Sequence, residues 1–301
     1  MSTDLPPAGP SGVLVVGDVN FDVLVRPERP IESGTDIPAD IRQRPGGAGA
    51  NVAVGLARLG VSVTLAGCVG ATDSGPITDR LRDAGVRLAL RAVGGLTTGA
   101  IVAIIGRDGE RSMASDRGAN LALRESDLPE SLIAGHRHLH VSGYTLFDAG
   151  TRSAALAAIG RARALGSSVS VDPASVGPLQ EYGVAQFLAD VAGVDLLLPN
   201  TDEALALSGA PDVAAAATSL NSAFPVVAVT CGADGAVWVD RNGLLRQSTS
   251  PRSGPVLDTT GAGDACTAGL LAGWLSGQSP TRCLAAGQDA AADAVTRWGA
   301  Q

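Results

Sequence analysis

Residues 256–271 read Val-Leu-Asp-Thr-Thr-Gly-Ala-Gly-Asp-Ala-Cys-Thr-Ala-Gly-Leu-Leu, and the rest of the chain is interpreted outward from them. The stretch predicts a strand end, a turn of small residues at 261–263, and a helix to about Gly277. Small residues let backbone N–H groups converge, and a helix start adds positive charge, so the turn suits phosphate. Asp264 falls in the first helical turn, where a carboxylate can accept a proton from a hydroxyl attacking phosphorus. On this stretch alone, a glycine-rich turn whose aspartate only complements the helix dipole stays open.

Composition is typical of an α/β enzyme. The 301 residues, 45% of them hydrophobic, allow one large domain with room for a small accessory layer. No apolar run approaches the roughly 20 residues that a membrane span needs, so no membrane partner is expected. Residues 1–11 are polar and proline-rich, which predicts a disordered tail before a domain over residues 12–301. Four widely separated cysteines indicate reduced thiols and a cytoplasmic protein.

The charged residues exclude several classes of protein. A formal net charge of −8 argues against nucleic acid as a partner. The sequence has no lysine, so all 22 basic residues are arginine. A Walker A loop, a protein kinase, a pyridoxal phosphate enzyme and a Schiff-base aldolase each require a lysine, and all four are excluded. If the protein binds phosphate, it must therefore do so through backbone N–H groups, arginine and a divalent metal.

The order of the predicted elements indicates the fold class. Val13–Val16 is predicted to be a buried parallel strand, and from Leu139 onward strands alternate with helices. Such alternation predicts an α/β fold with a doubly wound, mainly parallel sheet. Shorter, more polar strands at 21–25 and 39–43 are better suited to a small sheet that projects from the main body. Segments 236–239 and 244–247 are predicted to form a hairpin.

Two polar patterns near the N-terminus have both a functional and a structural interpretation. Gly46-Gly-Ala-Gly-Ala-Asn51 opens a helix but fails the dinucleotide fingerprint, because Val52 replaces the third glycine. It predicts close approach of the backbone to a small polar ligand, with a plain tight turn as the alternative. Asn20 and Asp22 share one face of an extended strand and are able to bind neighbouring sugar hydroxyls, unless that face is only solvated.

Three patterns later in the chain, taken one at a time, also have both a functional and a structural interpretation. Asn200-Thr-Asp-Glu203 has the form of a capping box, yet it follows a strand at the sheet edge where α/β proteins bind ligands and Mg²⁺. Thr230-Cys-Gly-Ala-Asp-Gly235 either lines a nucleotide pocket or only reverses the chain. The alternating His136, His138 and His140 are interpreted as structural, since no thiol or carboxylate is spaced to complete a zinc site.

Taken together, these motifs resemble the ribokinase-like sugar and nucleoside kinases, the phosphofructokinase B family. The most specific match is Asp258-Thr-Thr-Gly-Ala-Gly-Asp264 followed by Ala268-Gly-Leu-Leu271. The weaker matches, in the family's order, are Asn20-Phe-Asp22, Gly46 to Ala53, Gly118-Ala-Asn120, Asn200 with Glu203, Thr230 to Gly235 and Ala294 to Ala300. The resemblance extends from about Val13 to Gln301. It implies an α/β/α core with a small β lid, for which segments 21–43 and 86–105 are the candidates, and a homodimer formed through the lid.

The resemblance also implies roles for matching residues. Asp264 is the implied general base, and Gly261, Ala262 and Gly263 form the implied anion hole. The implied sugar-binding residues are Asn20, Asp22, Gly46, Gly47, Asn51 and Asp264. The implied ATP-binding residues are Asn200, Thr230, Gly232, Asp234, Gly235, Gly261 and Gly263. Asn200 and Glu203 match the Mg²⁺ motif, which acts through water and phosphate. Asp258, Thr260, Ala294, Arg297 and Gly299 match a site for a monovalent cation such as K⁺.

We therefore expect ATP- and Mg²⁺-dependent phosphorylation of a primary hydroxyl of a small sugar or sugar acid, of the ribose, fructose or 2-keto-3-deoxygluconate type. Ala48 stands where ribokinases proper and the phosphofructokinases of this family usually carry lysine. This disfavours a strict ribokinase and, more strongly, a phosphorylated substrate, so an unphosphorylated substrate is expected. In the assigned motifs only Arg44 and Arg117 remain as partners for a substrate phosphate. The alternatives are a nucleoside kinase of the same fold and a nucleotide-binding regulator without catalysis. A regulator would not need Asp264, and the failed fingerprint disfavours a dinucleotide oxidoreductase.

Overall fold

A computed structural model describes residues 11–106, 111–247 and 256–300 of the chain, so residues 1–10 of the predicted tail lie outside it. The strands are β1 (Val13–Val16), β2 (Asn20–Pro27), β3 (Ala39–Gly46), β4 (Val63–Gly70), β5 (Arg87–Val93), β6 (Gly99–Ile105), β7 (Arg111–Asp116), β8 (His138–Ser142), β9 (Ser168–Asp172), β10 (Leu196–Leu197), β11 (Val226–Thr230), β12 (Ala236–Asp240) and β13 (Gly243–Gln247). The helices are α1 (Ala48–Arg58), α2 (Gly75–Asp83), α3 (Glu130–Ala134), α4 (Tyr144–Phe147), α5 (Ala149–Ala164), α6 (Val176–Tyr182), α7 (Val184–Asp190), α8 (Thr201–Ser208), α9 (Val213–Asn221), α10 (Ala262–Leu275) and α11 (Pro280–Ala294).

A nine-stranded sheet forms the body of the molecule, in the order β13-β12-β11-β10-β9-β8-β1-β4-β5. The strands from β11 to β5 are parallel. β12 pairs antiparallel with β11 and with β13, and β12 and β13 form the predicted hairpin. Side chains of β1 alternate between two apolar layers: Leu14 and Val16 face α5, α7, α8 and α9, whereas Val13 and Val15 face α1, α2, α10 and α11. The mainly parallel, doubly wound α/β fold is confirmed, because both faces of the sheet are covered by helices.

Close packing of α10 against α1 and α11 is made possible by small residues. A Cβ atom on Gly55 of α1 would lie 2.6 Å from Ala268 Cβ. A Cβ atom on Gly269 would lie 2.4 Å from the Ala286 carbonyl oxygen of α11. Such distances would force the helices apart, so the glycines fix where α10 lies, and with it the start of α10 at the predicted phosphate site.

A second sheet has four strands in the order β3-β2-β6-β7, and we call it the lid sheet. The expectation that the lid includes all of residues 86–105 is wrong in its first half. Residues 87–93 form β5, which pairs parallel with β4 at the edge of the large sheet. The connection through α2 makes β4-α2-β5 a crossover unit, whose second strand joins the sheet of the first.

The fourth lid strand, β7, was not predicted. Its sequence, Arg-Ser-Met-Ala-Ser-Asp, is polar and lacks the apolar alternation expected of a strand. It pairs antiparallel with β6, so its position depends on its partner strand.

Within the described residues, none of the helices has both the length and the apolar character needed to cross a membrane.

Candidate active site

The candidate active site is a cavity of about 300 Å³ between the lid sheet and the carboxyl ends of the parallel strands. Its lining residues come from the β1–β2 connection, the lid strands β2, β6 and β7, the start of α1, and the turn that begins α10. They are Asp18, Asn20, Asp22, Gly47, Ala48, Asn51, Ile101, Met113, Ser115, Asp116, Arg117, Tyr144, Ala174, Thr259, Thr260, Gly261, Gly263 and Asp264. The cavity therefore unites the predicted base, anion hole and sugar-binding motifs, at the sheet edge where α/β proteins bind ligands.

The turn before α10 has the geometry of an anion site. Gly261 caps the helix with φ +75°, a left-handed conformation that favours glycine. A Cβ atom at this position would also lie 2.3 Å from Ala300 Cβ, so space and backbone both require glycine. The helix begins at Ala262, and N–H groups of a first helical turn have no preceding carbonyl of the helix to bind. These donors and the helix dipole favour a negatively charged ligand.

Asp264 is held at this helix start by a side chain from α1. Asn51 Nδ2 donates a hydrogen bond of 2.7 Å to Asp264 Oδ2. Gly47, with φ +96°, makes the turn that begins α1; a Cβ there would lie 2.4 Å from the Asp18 carbonyl oxygen. Burial raises the pKa of Asp264 to about 7; the bond from Asn51 lowers it, and the charges of Asp172 and Asp22 raise it. A carboxyl group with such a pKa can accept a proton near neutral pH.

Asn20 and Asp22 lie on one face of β2, as their spacing predicted, and both line the cavity. Asn20 Oδ1 accepts a hydrogen bond of 2.8 Å from Asn120 Nδ2, which fixes the amide. Asp22 is 4% exposed, and among the described residues its Oδ1 has no hydrogen-bond partner. Burial, with a contribution from the charge of Asp258, raises the pKa of Asp22 to about 7. A buried acceptor without a donor is suited to a ligand hydroxyl.

Glycine is required beside Asp22. A Cβ atom on Gly46, which pairs with Asn20 across β2 and β3, would lie 2.1 Å from Asp22 Oδ2. Glycine is therefore required at the first two positions of the predicted motif for different reasons. Gly46 makes room for the carboxylate of Asp22, and Gly47 makes the turn that begins α1.

An ion pair in the cavity was missed in the sequence. Arg117 Nε and Nη2 donate hydrogen bonds of 3.1 and 2.9 Å to the two carboxylate oxygens of Asp18. The guanidinium also lies 5.9 Å from the centre of the Tyr144 ring. Asp18 lies two residues after the end of β1, at the carboxyl edge of the sheet, a position that could have marked it as a candidate.

Asn200 and Glu203 form a capping box at the start of α8 and also belong to an acidic cluster. Asn200 donates its N–H and Nδ2 to the carboxylate of Glu203 at 2.9 and 2.8 Å. Asp172, at the end of β9, accepts hydrogen bonds from the Ala174 N–H and Thr267 Oγ1. Burial raises the pKa of Glu203, and the charge of Asp172 raises it further. A divalent cation nearby would offset this repulsion.

The cluster fits Mg²⁺ held through water. Within the described ranges, no three His, Cys, Asp or Glu side chains are grouped to hold a metal directly. Mg²⁺ commonly keeps several waters and takes few protein ligands, so Asn200, Glu203 and Asp172 suit an outer coordination sphere.

Asp258 braces the turn before the anion site. Its Oδ1 accepts hydrogen bonds from the N–H and Oγ1 of Thr260 at 2.8 and 2.6 Å, and its Oδ2 accepts one of 3.0 Å from the Gly299 N–H. The segment containing Ala294 and Arg297 passes beside it, because the Leu257 N–H donates to the Val295 carbonyl. The Arg297 side chain instead pairs with Asp293 at 2.7 Å. The predicted cation residues are thus neighbours on two adjacent segments.

The Thr230–Gly235 motif lies at the end of β11, next to the start of α8. The Thr230 N–H donates to the Pro199 carbonyl at 3.0 Å, and Gly235, with φ +101°, turns the chain into β12. Gly232 begins a short 3₁₀ helix that ends at Asp234. Asp234 lines a separate groove between α9 and β12–β13, so the structure does not bring it into the cavity with Asp264.

The three histidines have a structural role, as interpreted. His136 bonds to Leu132 and Thr64, His138 to Ser168 and Ser170, and His140 to Ser170, each at 2.8 Å. Burial lowers the pKa of His138 and of His140 to about 3, so both are neutral.

The comparisons with known proteins identify the chain as a phosphotransferase that acts on an alcohol group. A family model described as pfkB family carbohydrate kinase matches residues 11–301, and the chain belongs to that family. It is a sugar kinase with a ribokinase-like fold.

Individual relatives differ in their acceptors. The chain is 33% identical over 279 residues to an ATP-dependent ribose-1-phosphate kinase from Halopiger xanaduensis, covering 90% of this chain and 88% of the relative. An adenosine kinase structure from Sinorhizobium meliloti matches with a TM-score of 0.88 and 27% identity, over 97% of this chain and 95% of that one. A ribokinase from Arabidopsis thaliana, solved with ribose and ATP, matches with a TM-score of 0.78 and 26% identity, over 96% and 94%.

Proposed function

We propose that this protein transfers the γ-phosphoryl group of ATP to a primary hydroxyl of a small, unphosphorylated sugar. The observation that carries the proposal is the hydrogen bond of 2.7 Å from Asn51 to Asp264, which holds a carboxylate at the N-terminus of α10. The same cavity contains Asp22, whose Oδ1 has no hydrogen-bond partner among the described residues and suits a sugar hydroxyl. Base, anion site and hydroxyl acceptor are the three parts that phosphoryl transfer to a sugar needs.

Each part has a distinct task in the proposed mechanism. Asp22 and Asn20 bind sugar hydroxyls and orient the reacting one toward Asp264. Asp264 accepts the proton of that hydroxyl as its oxygen attacks phosphorus. Backbone N–H groups at Gly261, Ala262 and Gly263 stabilise the charge on the transferred phosphoryl group. Because the donors are fixed by the fold, they require little reorganisation during the reaction.

The nucleotide and its metal are assigned to the neighbouring motifs. Asn200, Thr230, Gly232, Asp234 and Gly235 are the proposed residues along ATP. Bound Mg²⁺ would neutralise phosphate charge, and Asn200 and Glu203 would hold it through water. Arrangement of Asp258, Thr260, Ala294, Arg297 and Gly299 around one turn supports a monovalent cation, and a dependence of kcat on K⁺ would test it.

Charge in the cavity supports a neutral acceptor. Arg44, one of the two expected phosphate partners, is not among the lining residues, and its side chain packs against Gly299. Arg117 does line the cavity, but it is already paired with Asp18. A phosphosugar or a sugar acid would therefore meet the carboxylates of Asp22 and Asp264 without a free cation among the described lining residues.

A nucleoside acceptor is the second candidate within the family. Among the described lining residues Tyr144 is the single aromatic side chain, which gives a purine little surface for stacking. A regulator without catalysis has no use for a carboxylate at the anion site.

The test is a panel of acceptors assayed for ADP release under one set of conditions. It includes ribose, fructose, 2-keto-3-deoxygluconate, adenosine, ribose 1-phosphate and fructose 6-phosphate. A free sugar is expected to exceed its monophosphate at least about tenfold in kcat/KM. Fastest turnover with a monophosphate or with adenosine would refute the proposed acceptor class.

We also propose that the protein forms a homodimer through the lid sheet. Val23, Val25 and Val102 share its outer face with Ile41, which is 63% exposed. An apolar sheet face of this kind is suited to a second copy. All four cysteines are free thiols, which supports a reducing, cytoplasmic location.

A further inference from the structure

Two polypeptide segments meet in the Asp18–Arg117 pair, one from the core and one from the lid sheet. Asp18 lies between β1 and β2, and Arg117 directly follows β7. The carboxylate is 5% exposed, while the Arg117 side chain keeps 21% of its surface accessible. Both residues line the sugar cavity. The pair is therefore located where it can meet an acceptor.

The guanidinium has no capacity left for a second carboxylate or phosphate on the same edge. Nε and Nη2 are both directed at Asp18, in the two-pronged geometry that a carboxylate or phosphate ligand would otherwise use. Arg117 is the one cationic side chain among the described residues that line the cavity, which also contains Asp22, Asp116 and Asp264. Asp18 thus neutralises the one cationic side chain of the described lining, and the other carboxyl groups of the lining have no cation beside them there.

We propose that Asp18 sets acceptor specificity by masking Arg117, so that the ion pair excludes anionic sugars. This inference rests on the proposed function and deepens it. To bind the Nε–Nη2 edge in the two-pronged geometry, an acceptor phosphate or carboxylate would have to displace Asp18, leaving a buried carboxylate without its partner. A neutral sugar leaves the pair intact and meets no such cost.

The proposal predicts a gain of function when the mask is removed. Asp18→Asn keeps the shape of the side chain and one hydrogen bond to Arg117 but removes the negative charge. The ratio of kcat/KM for fructose 6-phosphate to that for fructose is expected to rise at least about tenfold. The same rise is expected for ribose 1-phosphate relative to ribose, since both esters keep a free primary hydroxyl.

Two control variants separate unmasking from other effects. In Asp18→Asn combined with Arg117→Gln the cavity loses the cation as well, and the ratio should return to within about threefold of the wild type. Asp116→Asn also removes one negative charge from the lining, but it frees no guanidinium. Its ratio should therefore rise less than that of Asp18→Asn.

A binding measurement keeps the inference testable apart from turnover. Calorimetric titration of fructose 6-phosphate should give a Kd at least about tenfold lower with Asp18→Asn than with the wild type. If the wild type phosphorylates free sugars and Asp18→Asn changes neither the ratio nor this Kd, the inference is wrong while the proposed function stands. If the wild type phosphorylates no acceptor, the proposed function fails, and the Kd comparison alone then decides whether Asp18 masks Arg117.

Discussion

At the scale of single residues, Asp264 is subject to opposing influences on one carboxyl group. Burial and the charges of Asp172 and Asp22 favour its protonated form, while the hydrogen bond from Asn51 favours the carboxylate. The balance raises the pKa to about 7, far above the ordinary value of 3.8. A base of this kind is ionised near neutral pH and still has affinity for a proton.

Asp264→Asn should lower kcat by about 10²- to 10⁴-fold while ATP binding persists, because only the proton acceptor is lost. Steady-state kinetics and nucleotide titration measure the two effects separately. Near-normal turnover would remove Asp264 from the role of base.

Asp264→Asn should lower kcat but increase the thermal stability of the folded protein. With a folded-state pKa of about 7 against 3.8 when unfolded, the native protein binds this proton more tightly. The contribution of the Asp264 proton to the free energy of unfolding is therefore fully present below about pH 4 and is lost as pH rises through about 7. Asp264→Asn should raise Tm relative to the wild type at pH 8, with a smaller difference at pH 5. Equal differences at both pH values would contradict the assigned pKa.

Asp22→Ala should raise the KM for the sugar far more than the KM for ATP, because Asp22 lies in the cavity and pairs with no described group through Oδ1. Loss of one charge-assisted hydrogen bond corresponds to about 1.5–3 kcal/mol, or roughly 10- to 150-fold in kcat/KM for the sugar. Equal changes in both KM values would show that Asp22 is not specific to the sugar.

At the scale of elements, the lid sheet contacts the anion site through the segment after α11. Trp298 packs against Leu24, Ala103 and Ile105 of the lid. Arg26 and Arg42 lie over its ring at 4.2 and 4.7 Å from the centroid. The next residue, Gly299, donates its N–H to Asp258, which braces Thr260. Lid position and anion-site geometry are therefore linked by adjacent residues.

Trp298→Ala should uncouple the lid sheet from the anion site, so that kcat and the KM for the sugar change together. Loss of the two cation–π contacts, each worth about 0.5–1 kcal/mol at an exposed site, suggests a decrease in kcat/KM of roughly 5- to 30-fold. Trp298→Phe keeps a ring for both arginines and is the matched control; it should retain most activity. An unchanged kcat in the alanine variant would show that the lid does not act on the anion site through this residue.

At the scale of the whole molecule, the lid sheet has two different faces. Asp22 and Ile101 point into the cavity, whereas Ile41 and Val102 lie on the outer face. If that face binds a second copy, association would also bury the back of the strands that hold the sugar-binding residues.

Ile41→Asp should therefore shift the protein from dimer to monomer, because a charge in an apolar interface is costly to bury. Sedimentation velocity at several concentrations measures the change, and Arg29→Ala, on the exposed β2–β3 loop, is the control. A wild-type protein that is monomeric at micromolar concentration would exclude the lid dimer.

The sequence alone determined the features that depend on near neighbours in the chain. The turn at Gly261, the helix after it, the Asn200–Glu203 capping box and the shared face of Asn20 and Asp22 follow from spacing and local hydrogen bonding. The strand–helix alternation likewise determined the mainly parallel sheet.

Tertiary structure decided what depends on distant partners. Arg117 is 99 residues from Asp18, β5 joins the sheet of β4, and polar β7 is a strand because it pairs with β6. The physical reason is that local geometry is specified by adjacent residues, whereas charge pairing and strand partners are specified by packing of the folded chain.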